Sequence, residues 1–294
     1  QHLGAIDSPL ARGVVWGSLW DTVRDAEMPA RQFVNLVLNN IAEETNSTAV
    51  RVQLLNLEHA LKAFLAPSHA EETRALAANR MWQIAQAAEA GSDHQFQFVT
   101  SFARLAHTDL QLDAIEALLT GDKTLEGLEI DTDLSWVLLG SLAAGGRRTA
   151  TDIDAALAED NTSNGQQAAA AAQAAIPTAE AKAETWRAVV ETGELSNIVQ
   201  RSAISGFYRG SRDLAEDYVE KYFAAVEGVW RERSHEVSTQ IVTGLFPKVY
   251  TQQLLARAEA YLAQLPKDAA SLHRQISECR DALARALKVQ SADI

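Results

Sequence analysis

The sequence predicts an all-α protein, an irregular α-solenoid of antiparallel helix pairs with about 14–15 helices. Three observations carry this reading. Apolar residues recur at i, i+3 and i+4 along almost the whole chain, and no stretch sustains the alternation of a strand. Proline and glycine number only 6 and 15 in 294 residues, too few for an all-β chain that needs frequent turns. Helix starts near Thr149, Thr178 and Ser211 lie about 30 residues apart, a spacing suited to stacked helix pairs, although no sequence consensus repeats.

Ser8-Pro9 supplies an N-cap and a first helical position, and a helix follows to about Glu27 with Val15, Trp16, Leu19, Trp20 and Val23 on one face. Pro29 opens a second helix bearing Phe33, Leu36, Val37, Leu38 and Ile41. After a turn around Glu44–Ser47, a third places Val50, Leu54, Leu57, Leu61 and Phe64 at helical spacing. Pro67-Ser68 starts the next, with Ser68 and Glu71 as a capping box. Gly91-Ser-Asp93 separates it from a helix carrying Phe96, Phe98, Val99, Phe102 and Leu105. A shorter helix from Asp109 closes at Gly121, and GDKTLEGLEID is the one non-helical insert. The helix with Trp136 ends at Gly145-Gly146, and Thr149 with Asp152 caps the one after it. Asn161 to Ala175 is alanine-rich and reads as a helix packed at a tight crossing. Pro177-Thr178 opens a helix with Lys182 and Trp186. A long helix capped by Ser211 then carries Leu214, Tyr218, Tyr222, Val226 and Trp230. The last two helices run from about Thr251 to Leu265 and from Asp268 to about Val289, leaving SADI to fray.

Charge and composition exclude several function classes. Net charge is −13, from 39 acidic and 26 basic residues, which repels phosphate backbones and argues against nucleic-acid binding. No apolar run reaches the roughly 20 residues that span a bilayer. The single cysteine, Cys279, forms no internal disulfide framework and fits a reducing, cytoplasmic compartment as a partly buried structural thiol. The chain begins QHLGAIDSP, without an initiator Met, and reads as a piece of something longer.

Several blocks in a fixed order carry a family resemblance. They are the Lys182-x-x-x-Trp186 helix, the Gly206-Phe-Tyr-Arg209 turn, the Tyr222-Phe-x-x-Val226-x-x-x-Trp230 helix and the Leu245-Phe-Pro247 ending. The opening ARGVVWGSLWDTVRDAE (11–27) and TDIDAALAEDNTSNGQQ (151–167) belong to the same series. Together they resemble the C-terminal helical domain of bacterial aminopeptidase N enzymes, zinc metallopeptidases of the M1 family. The resemblance covers nearly the whole chain. It implies a HEAT/ARM-like superhelix forming one domain over residues 1–294, with the catalytic domain absent from this chain.

The residues themselves hold no catalytic pattern. A zinc peptidase of this kind needs His-Glu-x-x-His on a helix, so that two imidazoles point from one face at the metal. The nearest match is His235-Glu236-Val237-Ser238-Thr239, whose fifth residue is not an expected ligand, so His235 and Glu236 read as a solvated helix face. The remaining histidines contain no i, i+4 pair. Gly140 to Gly146 lacks the Lys-Ser/Thr of a phosphate loop and reads as a helix end. Gly206–Gly210 has no central serine and is no nucleophile elbow. Asp21, Arg24, Asp25 and Glu27 form a charge cluster in which Asp21 and Arg24 pair at i, i+3.

The resemblance therefore implies a non-catalytic domain that caps the catalytic domain, walls the peptide-binding cavity and controls access to it. The parent reaction it implies is removal of N-terminal amino acids from peptides, with zinc in the parent catalytic domain and no cofactor in this chain. The implied partners are the chain's own catalytic domain and the peptide substrate. Residues that could face such a cavity are Arg12, Trp16, Trp20, Asp21 and Arg24 on the first helix, and Arg201, Phe207, Tyr208, Arg209 and Arg212. Arginine suits a peptide's terminal carboxylate because its planar fork of donors matches two oxygens. The alternative is a free-standing α-solenoid that binds a partner protein on its concave face.

Overall fold

A computed structural model describes residues 3–210, 213–266 and 268–294. The described residues contain sixteen α-helices and four short 3-10 or π turns, with no strand among them. The all-α expectation holds. The chain divides into two compact units, Gln1–Asp131 with Ala284–Ile294, and Thr132–Leu283.

The first unit opens with α1, Pro9–Arg24, where the Ser8 side chain accepts from the Ala11 amide as expected. The helix stops three residues before Glu27, because Ala26 adopts φ 63 and turns the chain out of the helical path. After α2, Ala30–Asn40, a 3-10 turn, Ile41–Glu43, leads to α3, Ser47–His59, which Asn46 caps. A π turn, Ala60–Phe64, then precedes α4, Pro67–Ala87. The expected Ser68–Glu71 capping box is not formed. Ala66 occupies the N-cap with no side-chain bond, and Pro67 takes the first helical position, so Ser68 already lies inside the helix. Two further helices, α5, Asp93–Leu105, and α6, Asp109–Thr120, complete the series, and α6 ends at left-handed Gly121. Residues 121–131 are non-helical as expected. Phe33, Val37, Ile41, Leu57, Met81, Phe98 and Phe102 are fully buried in this unit.

The second unit contains α7, Thr132–Ala144, and α8, Ala150–Glu159, whose Thr149–Asp152 capping box is present. The alanine-rich stretch forms α9, Ser163–Ala175, followed by α10, Ala179–Trp186, and a π turn, Arg187–Thr192. Next come α11, Asn197–Phe207, and α12, Asp213–Glu216. The long helix expected from Leu214 to Trp230 is interrupted: α13 spans only Val219–Glu232. The interruption places Tyr218 in an aromatic cluster, 4.9 Å from Phe207 and 5.2 Å from Trp186, ring centroid to centroid. Ser211, expected to cap that helix, lies outside the described residues. The remaining helices are α14, His235–Gly244, α15, Gln252–Gln264, and α16, Ala270–Ala292. SADI does not fray, since α16 runs through Ala292 and Asp293 is fully buried.

Within this unit α9 packs against both α7 and α11. A methyl group on Gly206 would lie 2.1 Å from the Ala171 carbonyl oxygen, so only glycine permits the α9–α11 approach.

Candidate functional site

In the first unit the expected site residues on α1 split between an inner and an outer face. Arg12 and Trp16 point inward and converge on Glu44, a carboxylate buried after the 3-10 turn. Glu44 accepts from Arg12 Nη2 at 2.8 Å, Arg12 Nε at 3.1 Å, Trp16 Nε1 at 3.2 Å, and the amides of Thr45 and Asn46 at 3.0 and 3.1 Å. Burial works against its charge, but Arg12, the Asn46 amide and the Trp16 indole outweigh it and hold Glu44 below its ordinary pKa. The rest of the Arg12 fork donates to Ile6 O, Asp7 O and Thr45 Oγ1. Arg12 is thus committed to interior bonds. Trp20 stacks on Phe64 at 5.6 Å and meets Phe33 at 5.2 Å. Asp21 and Arg24 form the expected surface pair, at 3.5 Å.

The outer face of α1 is unlike the others. Leu10 and Val14 are 80% and 66% exposed, and Gly13 and Gly17 beside them have open space where a side chain would go. Two glycines inside an exposed helix cost about 1 kcal/mol each relative to alanine, and no described residue uses the space they leave. A groove of about 240 Å³ on the same unit is lined by Leu3, Ile6, Val15, Trp16, Leu19, Leu36 and Asn40. No titratable group lines it, so it offers packing rather than chemistry.

In the second unit Lys182, carried by α10, is the most unusual charge. It is 2% exposed and donates to Ala174 O at 2.6 Å and Arg209 O at 3.2 Å, with its ammonium 5.7 Å from the Phe207 ring centre. Ala144 and Ala175, the last residues of α7 and α9, both turn their carbonyls toward Gly210, which sits at φ 80. Three helix C-termini, those of α7, α9 and α11, therefore meet here, and Lys182 answers the negative ends of two of them, α9 and α11. Burial pushes Lys182 down to about 8. The alignment of Lys182, Trp186 and Phe207 was visible in sequence as a motif; its role as a common cap was not.

The arginines expected to cluster here are engaged with different elements. Arg209 donates from Nη2 to Ser141 of α7 at 3.0 Å, while exposed Arg201 pairs with Glu236 of α14 at 3.7 Å. Arg212 lies outside the described residues. Phe207 is buried, and the Tyr208 hydroxyl donates to Leu245 O at 2.8 Å. Among the described residues no group of three or more His, Cys, Asp or Glu side chains is placed to hold a metal ion. No helix among them is long and apolar enough to cross a membrane.

A family model described as the ERAP1-like C-terminal domain matches residues 1–285. The chain belongs to that family. It is 41% identical over 295 aligned positions to a protein named aminopeptidase N from Streptomyces lividans, and the match covers 100% of this chain. The chain spans 34% of that relative's length. For this ERAP1-like domain, the elements identified from residue pattern alone, the α10 lysine, the α11 end and the aromatic helix, converge on one cluster in the second unit. The buried Glu44 centre was missed because a lone glutamate in a turn has no periodicity to mark it.

Proposed function

We propose that this chain serves as the non-catalytic helical domain of a zinc-dependent aminopeptidase N acting in the cytoplasm. In this reading it caps the catalytic portion, walls the peptide cavity and governs which peptides enter. The observation that carries the proposal is full-length similarity, at 41% identity, to a third of an aminopeptidase N. The outer face of α1 supports it. Leu10, Val14 and the two glycines make an exposed apolar strip with room for close approach, as expected where a second domain packs. Zinc belongs to the catalytic portion in this reading, and no chemical step falls to the residues described. The groups expected to face a peptide are those on exposed surface, Asp21, Arg24 and Arg201, rather than Arg12, whose donors are already engaged.

The test is hydrolysis of an aminoacyl-anilide by the part of the Streptomyces lividans relative that this chain does not cover, with and without the chain. The chain should be inert alone and should restore or reshape the activity of the other part. Chelator-sensitive hydrolysis by the chain alone would overturn the proposal. Two folded pieces that neither bind nor couple would favour the free-standing scaffold.

A further inference from the structure

Residues 284–294 belong to the first unit although they are far from the rest of it in sequence. Three of their side chains meet four helix ends. Lys288 Nζ donates to Asp25 O, the C-cap of α1, at 2.9 Å. Gln290 Nε2 donates to Ala63 O, in the π turn that follows α3, at 2.8 Å. Asp293 accepts at Oδ1 from the Arg31 amide in the first turn of α2, at 2.9 Å. At Oδ2 it accepts from the Ala66 amide, at the N-cap of α4, at 3.1 Å. The Arg31 guanidinium returns to Asp293 at 3.3 Å to Oδ1 and 3.0 Å to its carbonyl.

The polarity is consistent throughout. Donors meet the C-terminal ends and a carboxylate meets the N-terminal ends, each sign opposed to the local end of the helix dipole. Neither α2 nor α4 has a side-chain cap of its own, since Pro29 and Ala66 stand at their N-cap positions. Amides that a helix start leaves unpaired are therefore satisfied from the other end of the chain. Apolar burial contributes little to this seating: Ala286 and Val289 are the only apolar side chains of the segment that are buried. The polar caps decide where it sits.

We infer that Ala284–Asp293 is a clasp that ties the α1–α2 turn to the α3–α4 turn and can release them. With Asp293 seated, both turns are held. With Asp293 withdrawn, the two turns and the first turns of α2 and α4 open locally while α5 and α6 stay folded. The clasp lies almost wholly beyond residue 285, where the family match ends.

The test is amide hydrogen exchange on the full chain, comparing wild type with Asp293→Ala, Asp293→Asn and Lys288→Met. Asp293→Ala should speed exchange by about tenfold or more at residues 26–33 and 63–69, leaving α5, α6 and the second unit unchanged. Asp293→Asn, which keeps one acceptor oxygen, should release one turn more than the other. Lys288→Met should affect only the turn after α1. Unchanged exchange at both turns would overturn the clasp, as would acceleration spread evenly over α1–α6, which would mark Asp293 as an ordinary core residue. If Asp293→Ala does not fold, the other two variants decide by the same local-or-uniform criterion.

Discussion

Two buried charges, Glu44 and Lys182, both have lowered folded values but for opposite reasons: partners favour the Glu44 charge, whereas burial disfavours that of Lys182. Glu44 is held below its ordinary value, so the folded state gives up its proton more readily than the unfolded chain. Its stabilisation is present above about pH 4.5 and is lost as pH falls through the lower folded value. The stability advantage of wild type over Glu44→Gln should therefore shrink steadily below pH 4.5 in denaturant titrations followed by tryptophan fluorescence. A constant difference would mean that folding does not lower the Glu44 pKa. Lys182 has the same sign of dependence in a higher window, with burial lowering its folded value to about 8 against an unperturbed 10.5. Between those values the unfolded chain binds more protons, so the lysine's contribution to stability rises with pH. Lys182→Met leaves the Ala174 and Arg209 carbonyls without their donor and should cost about 2 kcal/mol near neutrality. That cost should grow from pH 8 to 10.5. Cys279, whose thiol burial pushes up to about 11, contributes in the opposite direction above pH 9, so the comparison is cleanest in a Cys279→Ala background.

At the scale of elements, the decisive contact is α9 against α11. The alanines of α9 and Gly206 of α11 let the two backbones approach so closely that a single added methyl meets a carbonyl oxygen. Gly206→Ala should destabilise the second unit by about 3 kcal/mol, because neither helix backbone can yield locally. A midpoint unchanged in urea would show that the crossing has slack. The composition of α9 announced this packing before the partner was known, since alanine favours helix and leaves no bulk at the contact. The Tyr218 break announced nothing. An i, i+4 stripe continues through Leu214, Tyr218 and Tyr222 on paper, yet α12 and α13 are separate helices and the Tyr218 ring between them packs on Phe207 and Trp186.

At the scale of the whole molecule, the exposed strip on α1 makes a prediction that separates folding from partnership. Leu10→Asp with Val14→Asp touches side chains already in water, so the chain's own stability should change by less than about 0.5 kcal/mol. The same pair should reduce the chain's effect on aminoacyl-anilide hydrolysis by the complementary aminopeptidase portion about tenfold or more. A large loss of stability in the isolated chain would instead assign the strip to its own core. Acidic residues outnumber basic ones by 13, so the isolated chain should remain soluble despite the strip.

Helix positions and most caps were legible in the sequence, because periodicity and capping chemistry are local properties. Ser8, Thr149 and Gly121 act within a few residues of themselves, and each does what its neighbours indicate. Tertiary structure alone decided where the buried charges find partners. Glu44 with Arg12, Lys182 with two helix ends, and Asp293 with α2 and α4 join residues from 8 to 262 positions apart. No pattern in the chain encodes those separations, since a buried charge selects whichever unpaired group the packed helices bring within about 3 Å. The missing caps at Pro29 and Ala66 were the one sequence trace of the last of these, a helix start lacking what it needs.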